Sequence, residues 1–572
     1  MKQNSYIGLA ILAGMVTLSA CNKKLEEYNP SNATEESLFK TAEGFETAVN
    51  GAYTYNRNLY GKEEGFALLE AGTDLWAPSA KNGNSTVFGS SPNPAITTYS
   101  GLLADNYWVN TNLWTPCYAA INLCNTALGR IDEAGLTPAR RQSAEAELRF
   151  MRAWYYFLLV QAFGDVHFTL EPTKGMVTVA NRTSVVTVYE QIVNDMQFAA
   201  GNLPVTTADY GRITKTGALA ILSKVLLTKG DYQAASNLAK VVIDESGQGL
   251  LPRYADLWQM ANETNNEVLW AVNYATNLNL NAPSGNSGHR GHSLFLMEYS
   301  DLPGMKQDVV NGFPEGRWIP TLHYLDLFNE AIDSRFDATF KQAWLANNAS
   351  TIPVWTVEEV SHNPALAARV GQPKYTVGDT AIWITKKVLP NADQLYTHRY
   401  RYKTYDRDDL YNSNGTVKNI RQYFSLKKFD DPTRATAAET NSARNAPIIR
   451  LAEVYLNAAE AQFRLGKLDS AARFINSVRR RAALPGHADA MEITGAMVTT
   501  DFILDERARE LGGEQTRWFD LKRLGQLEQR VKMTNPDIAA NIRPYHLLRP
   551  IPLAQLGAVT NKDEFKQNPG YE

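Results

Sequence analysis

Cysteine is scarce in this sequence, and its scarcity excludes two kinds of stabilisation. The 572 residues include three cysteines, Cys21, Cys117 and Cys124. On a helix the last two would share a face but lie two turns apart, roughly 10 Å, whereas a disulfide needs Cα atoms within about 7 Å. We predict that both are small buried apolar residues. With no C-x-x-C pair and eight histidines, the sequence gives no support for a metal site.

Long apolar runs are also missing, because none reaches the roughly 20 residues that span a bilayer. A short apolar stretch instead follows Lys2 and ends at Leu18-Ser19-Ala20-Cys21. This pattern is typical of a bacterial lipoprotein signal, in which the cysteine thiol is acylated after cleavage. We predict a signal peptide over residues 1–20, a lipidated Cys21, and a tether over residues 21–30. An ordinary signal peptide with an incidental cysteine is the alternative.

Basic residues are not in excess, since 57 Lys and Arg stand against 60 Asp and Glu, a formal charge of −3. This balance argues against nucleic acid or anionic lipid as a partner, because both select positively charged surfaces. The short run Arg479-Arg480-Arg481 is predicted to be a solvated helix face. The composition, 44% hydrophobic and 20% charged, is that of a globular protein.

Helical periodicity dominates the first half of the chain. Apolar residues recur at helical spacing over 113–131, over 144–163, which stops at Gly164-Asp165, and over 187–203, which Pro204 closes. Residues 216–245 predict two helices separated by Gly230-Asp231, and therefore an αα-hairpin.

The hairpin pattern recurs near the C-terminus. Gly230, Tyr232 and Ala235 follow the order glycine, apolar or aromatic residue, alanine, and Gly466-x-Leu468-x-x-Ala471 repeats it within a second predicted hairpin at 447–483. Glycine relaxes the turn and alanine lets the two helices approach. The pattern resembles the tetratricopeptide repeat and predicts a small helical solenoid.

Between the hairpins, residues 274–445 show little periodicity and many Gly, Pro, Asn, Trp and Tyr residues. Long irregular segments in compact proteins usually have a functional reason. The loop from Thr73 to Ala95 has the same composition. The aromatic residues of such loops suit the apolar face of a pyranose, while amides and carboxylates suit its hydroxyls. Trp76 fits an exposed platform or the core equally well, whereas helical patterns predict core positions for Trp108, Trp114, Trp154 and Trp518.

No catalytic pattern stands out. Glu506, Glu510 and Glu514 recur at i, i+4 and i+8, and because like charges at this spacing repel, we expect counterions and a structural ion-pair network. The segment "DRDDLYNSNG" fails the EF-hand pattern, since Leu410 and Tyr411 stand where the loop needs Asp or Asn and then Gly. We predict no enzyme activity and no cofactor, with a looser Ca²⁺ site left open.

Several ordered motifs now point to one family. The segments "AEAELRFMRAWYYFLLVQAFGDV", "DSRFDAT", "KKFDDP", "IIRLAEVYLNAAEAQFRLG", "ERARELGGEQTRWFDLKRLG", "RPIP" and "QNPGY" follow one another in that family's order. The chain resembles a SusD/RagB-type outer-membrane lipoprotein over nearly its whole length. One departure is His167, where members usually carry proline.

The resemblance implies a mainly α fold, a tetratricopeptide-like helical hairpin scaffold with a large loop-rich C-terminal region. It divides the chain into a helical region over 31–272 and a C-terminal region over 273–572. It also implies a cell-surface protein, lipid-anchored in the outer membrane, that binds a glycan and delivers it to a SusC-type TonB-dependent transporter. Capture of peptides or another non-glycan nutrient on the same scaffold is the alternative, and a glycan-degrading hydrolase is a further one.

The family places two loops toward the ligand, and here they span 73–95 and 273–318. We predict Trp76 as a stacking platform, with Trp318 and Tyr299 as further aromatic contacts. Hydroxyl contacts are predicted from the polar residues of the same loops, namely Asn82, Asn84, His289, Arg290 and His292.

Overall fold

Helices form most of the regular structure in this computed structural model, which describes residues 38–79, 95–281, 288–361, 363–390 and 400–572. The α-helices of those ranges are α1 Ala42–Thr54, α2 Glu63–Leu69, α3 Ala95–Thr98, α4 Thr115–Arg130, α5 Pro138–Phe163, α6 Val185–Asn202, α7 Lys215–Lys229, α8 Tyr232–Glu245, α9 Gly291–Leu294, α10 Leu322–Asp326, α11 Arg335–Thr339, α12 Val357–Ser361, α13 Arg407–Leu410, α14 Leu451–Arg464, α15 Leu468–Ala482, α16 Ala488–Met491, α17 Thr500–Leu511, α18 Arg517–Arg523, α19 Leu527–Thr534 and α20 Leu553–Ala558. The mainly α fold is confirmed.

The strands are short and pair across long stretches of sequence. They are β1 Trp76–Pro78, β2 Val268–Val272, β3 Trp318–Pro320, β4 Phe340–Lys341, β5 Ala343–Leu345, β6 Thr380–Ile384, β7 Lys403–Tyr405, β8 Ser425–Leu426 and β9 Ala446–Arg450. The antiparallel pairs are β1–β3, β2–β9, β4–β8 and β5–β6, and β7 lies parallel to β6.

The long N-terminal helices confirm the sequence periodicity and show what ends them. The side chain of Thr137 accepts a hydrogen bond from the amide of Arg140 and so caps α5, with Pro138 at its first position. The helix stops at Gly164, whose φ of 73° lies where glycine is favoured. Helix α6 ends at Asn202, just before Pro204, as the pattern predicts.

Both predicted helical hairpins are present and they lie side by side. Gly230 (φ 92°) separates α7 from α8, and Gly466 (φ 73°) lies between α14 and α15. Helix α8 packs against α14, so the first hairpin contacts the second although most of the loop-rich chain separates them in sequence. The helices therefore stack in space as a solenoid does.

The predicted core residues are buried. Trp108, Trp114, Trp154 and Trp518 each expose 3% or less of their surface. Cys117 and Cys124 are free and buried on α4, which confirms their role as small apolar residues.

Strands β2 and β9 connect the two parts of the chain. Val272 pairs with Ala446, at the two ends of the loop-rich segment. The division at residues 272 and 273 stays a prediction. Among the helices of the described ranges, none combines the length and the apolar character that crossing a bilayer requires.

A buried ion-pair network fixes α17 to the loop-rich region and to α15. Glu506 and Glu510 are fully buried, and both accept hydrogen bonds from Nη1 of Arg335, at 2.8 Å and 3.0 Å. Arg450 binds Glu510 at 2.7 Å and Glu514 at 2.7 Å. The structural interpretation of these glutamates is confirmed.

The arginine run on α15 corrects one prediction. Arg479 pairs with Glu506 at 2.7 Å, and Arg481 pairs with Glu267 at 2.7 Å and with Glu510. Only Arg480 is exposed. The run is thus largely an internal counter-charge for α17 and β2, and not a solvated face, because its carboxylate partners come from distant segments.

Candidate functional site

The segment around Trp76 is a strand, and its ring lies in the core. Trp76 pairs with Pro320 of β3 and exposes 1% of its surface. Its Nε1 donates to a carboxylate oxygen of Glu70 at 3.0 Å, and its ring lies 4.6 Å from that of Phe295. Because protein atoms enclose the ring, it offers no free face for a sugar, and the expectation of an exposed platform is corrected.

Trp318 and Tyr299 are enclosed as well. Trp318 exposes 2% of its surface and packs 5.4 Å from Phe295. Tyr299 is fully buried, stacks on Trp344 at 4.7 Å, and donates its hydroxyl to the carbonyl of Gly312 at 2.6 Å. Trp318 thus packs β3 against Phe295, and Tyr299 binds the segment that precedes β3 through Gly312.

The polar residues at 289–292 are also buried. His289 packs 4.9 Å from Phe429, and burial together with nearby Arg444 lowers its pKa well below the usual range. Burial lowers the pKa of His292 to about 3, and the charge of Arg434 adds to this effect. Both imidazoles are therefore neutral at physiological pH.

Arg290, which lies between the two histidines in sequence, belongs to a buried ionic cluster. It pairs with Glu315, whose carboxylate also accepts the hydroxyl of Ser293 at 2.5 Å. Arg317 pairs with Glu63 at 2.8 Å.

The six predicted residues that the structure describes are all buried supports. Trp76 and Trp318 both pack on Phe295, and His289 and Trp318 both pack on Phe66. The other two, Asn82 and Asn84, lie outside the described residues.

Asp406 explains the "DRDDLYNSNG" segment without a metal. Its side chain accepts hydrogen bonds from the backbone amides of Asp408 and Asp409 and so caps α13. Within the described ranges, no group of three or more His, Cys, Asp or Glu side chains is placed to hold a metal ion.

Three adjacent cavities share the loop at residues 205–212 as a wall, and we name them together the 205–212 groove. Its two larger sections have volumes of about 430 and 410 Å³, and a smaller section has about 260 Å³. Arg212 lines all three sections. Such volumes are typical of small-ligand sites.

The largest section lies between α1, the groove loop and the end of β2. Its walls carry aromatic, amide and charged side chains: Asn50, Tyr53, Asn56, Arg57, Asp209, Tyr210, Arg212, Trp270 and Asn273. Tyr53 donates to Glu147 at 2.7 Å and Tyr210 donates to the carbonyl of Glu263 at 3.0 Å. Both rings are therefore held by their hydroxyl groups.

The charges of this section are mostly compensated. Arg212 binds Glu147 at 2.7 Å and Asp209 at 3.2 Å. Arg57 donates to the backbone carbonyls of Asn273 and Leu280. Sequence analysis missed this section of the groove because its walls come from three separated segments, and no local motif marks any of them.

Comparison with known proteins places the fold in a family. A sequence profile described as "SusD family" matches residues 256–571, more than half of the chain. The chain belongs to the SusD family. A second profile, described as "Starch-binding associating with outer membrane", matches residues 82–227.

Relatives in the SusD family match along most of their length. SusD-like protein P25 of Formosa agariphila is 26% identical over 94% of this chain and 94% of its own. The starch-binding protein SusD of Bacteroides thetaiotaomicron is 24% identical over 77% of this chain and 74% of its own.

Solved structures of SusD-like proteins have the same fold. A laminarin-binding SusD-like protein aligns with a TM-score of 0.66 at 22% identity, covering 93% of this chain and 100% of that one. Surface glycan-binding protein A of Bacteroides thetaiotaomicron aligns with a TM-score of 0.66 at 19% identity, with 93% and 100% coverage. At these identities the likeness shows the fold alone.

Proposed function

We propose that this chain is a cell-surface lipoprotein that captures oligo- or polysaccharide and delivers it to a SusC-type TonB-dependent transporter. Membership of the SusD family carries the proposal. Relatives that are named for binding starch, laminarin or surface glycans support a glycan as the ligand. These relatives are named as binding proteins, which supports capture without catalysis.

The proposed location follows from the sequence. Cys21 is the lipid anchor, and the chain faces the cell surface on the tether of residues 21–30. The profile described as associating with the outer membrane supports this placement. The transporter is the partner that receives the cargo, and near-equal co-purification of a large β-barrel protein in gentle detergents is the expected result. Recovery of the lipoprotein alone across several detergents contradicts this part.

For the glycan contacts, we keep Asn82 and Asn84 as predicted ligand residues of the 73–95 loop. The buried residues of β1, β3 and the 289–299 segment act as supports, because other protein atoms enclose them, as the contacts of Trp76 show. We name these residues the β1–β3 base. Packed rings and buried ion pairs hold such a base in one arrangement, which lowers the entropy cost of binding.

Affinity gels test the proposal directly. The full-length protein, purified in a detergent without a sugar headgroup, is run through gels containing amylopectin, laminarin, xylan or mannan. Retardation in at least one gel is expected, with no shortening of the polysaccharide during incubation. Calorimetry on the corresponding hexasaccharide should then give an affinity in the micromolar to millimolar range.

The alternatives give different results in the same experiment. If the protein binds members of a peptide library and no polysaccharide gel retards it, its function is peptide capture. Release of shorter saccharides from the retaining gel identifies a hydrolase. Either result contradicts the proposal.

A further inference from the structure

We infer that the 205–212 groove is a second saccharide subsite, which binds one or two pyranose units of a neutral glycan. The inference rests on the proposed function, because it names a further place where the same cargo is held. None of the six predicted ligand residues that the structure describes lines this groove. It is therefore separate from the β1–β3 base.

Asn56 carries the inference. Its side chain exposes only 2% of its surface, yet it lines the largest section of the groove. Its Oδ1 accepts the indole N–H of Trp154 at 3.0 Å, which fixes the orientation of the amide. Its Nδ2 has no hydrogen-bond partner among the described residues and is not among the fully enclosed polar atoms. A buried amide donor without a protein partner is costly unless a ligand or water pairs with it.

Two further amides stand at the rim of the same section with free groups. Asn50 is exposed and uses Oδ1 to accept from Arg212 at 2.6 Å, which leaves its Nδ2 as a donor. Asn273 is exposed and uses Nδ2 to donate to the carbonyl of Tyr210 at 3.2 Å, which leaves its Oδ1 as an acceptor. In each case one end of the amide is held by protein, and the residue lines the groove. Oriented donors and an acceptor of this kind match the hydroxyls of a sugar, which both donate and accept.

The rings supply the apolar part of the site. Tyr53 and Tyr210 are half-buried and line the section, and both hydroxyls are already engaged. Their remaining accessible surface is therefore mainly ring, which suits the C–H face of a pyranose.

The charges favour a neutral ligand. Arg212 is paired with three carboxylates, those of Glu46, Glu147 and Asp209, and three of the five N–H groups of Arg57 donate to backbone carbonyls. Glu46, Glu147 and Asp209 would repel a carboxylate or a sulfate ester at Arg212. A neutral hydroxyl meets no such repulsion, and it can accept from the N–H groups of Arg57 that the backbone carbonyls leave unused.

Two substitutions test the subsite in the affinity gels. Asn56→Asp keeps the oxygen that accepts from Trp154 and replaces the free donor with an acceptor. Asn273→Ala removes the rim acceptor from an exposed position, where folding is little affected. Asn58→Ala is the matched control, because Asn58 lies close by in the chain, is part-buried, and does not line the groove. Thermal midpoints check that each variant folds.

Both groove variants should bind the retaining polysaccharide about two- to tenfold more weakly than wild type, the range that loss of one hydrogen bond gives. The control should bind as wild type does. Crystals soaked in the matching hexasaccharide should show a pyranose within hydrogen-bond distance of Asn56 Nδ2. If Asn56→Asp fails to fold, the binding of Asn273→Ala and the soaked crystal test the subsite.

The failures are distinguishable. Retardation of wild type with unchanged binding in the folded groove variants, or an empty groove in the soaked crystal, overturns the subsite and leaves the proposed function standing. No retardation of wild type by any polysaccharide overturns both.

Discussion

Replacing Glu510 with glutamine should destabilise this protein strongly, although the two side chains have nearly the same shape. Glu510 is fully buried and its carboxylate binds Arg335 at 3.0 Å, Arg450 at 2.7 Å, and Arg481. An amide cannot balance these guanidinium groups. Removing one partner from a buried ionic cluster costs about 3–5 kcal/mol of the free energy of unfolding, because the remaining charges stay buried without compensation.

The same carboxylate predicts a pH dependence. Burial alone would raise the pKa of Glu510, but Arg481, Arg450 and Arg335 outweigh it and hold the pKa at about 2 instead of 4.5. A carboxyl whose folded pKa is lowered stabilises the protein above its unfolded pKa, and this stabilisation is lost as the pH falls toward the folded pKa. The loss lies between about pH 4.5 and pH 2, and it amounts to about 3 kcal/mol for this group.

Urea unfolding at a series of pH values measures both effects. At pH 7, Glu510→Gln should unfold at a clearly lower urea concentration than wild type, and its stability should fall less steeply below pH 4.5. Glu528→Gln is the control, because Glu528 forms a partly exposed pair with Lys532 at 2.6 Å and should change stability by less than about 1 kcal/mol. Equal midpoints for wild type and Glu510→Gln at pH 7 would refute the reasoning.

Three further predictions follow from other parts of the molecule. Trp76→Ala should lower the free energy of unfolding by about 3–5 kcal/mol in urea, because it leaves a core cavity, and a change below about 1 kcal/mol would contradict the burial of this ring. Gly466→Ala should cost about 1–2 kcal/mol by thermal unfolding, since φ is 73° there, whereas Gly129→Ala inside α4 should be neutral or stabilising; equal effects would argue against strain. Cys21→Ser should release the protein from membrane fractions or leave the precursor uncleaved, and a cleaved variant that stays attached would exclude Cys21 as the anchor.

Local sequence predicted the helical scaffold well, because its signals are local. The glycines at 230 and 466 both have positive φ, and α5 ends at Gly164, where the sequence pattern stops. Such features depend on neighbours within one or two turns.

Features that depend on distant partners were missed or misread. Trp76 is followed by proline and polar residues, yet it is enclosed because β3 pairs with it from more than 200 residues away. Local sequence predicts a surface charge at Arg481, but in the fold this residue pairs with Glu267 and Glu510. The amides of the 205–212 groove carry no motif, and only the fold brings Asn50, Asn56 and Asn273 to one cavity.

The pairing of Val272 with Ala446 has a consequence for how this scaffold can change. Directly paired residues in an antiparallel sheet have Cα atoms about 4.5–5.5 Å apart. The long segment between Val272 and Ala446 therefore leaves and rejoins the helical scaffold at neighbouring points. In chain connectivity, residues 273–445 form one long connection between the two hairpins, and Arg335 within it also pairs with Glu506 and Glu510 of α17. Because the entropy cost of a closed loop grows slowly with its length, a change of length in a part of this connection that does not contact the hairpins should disturb the pairing of β2 with β9 little. The hairpin stack can therefore keep its geometry while the length of this connection varies.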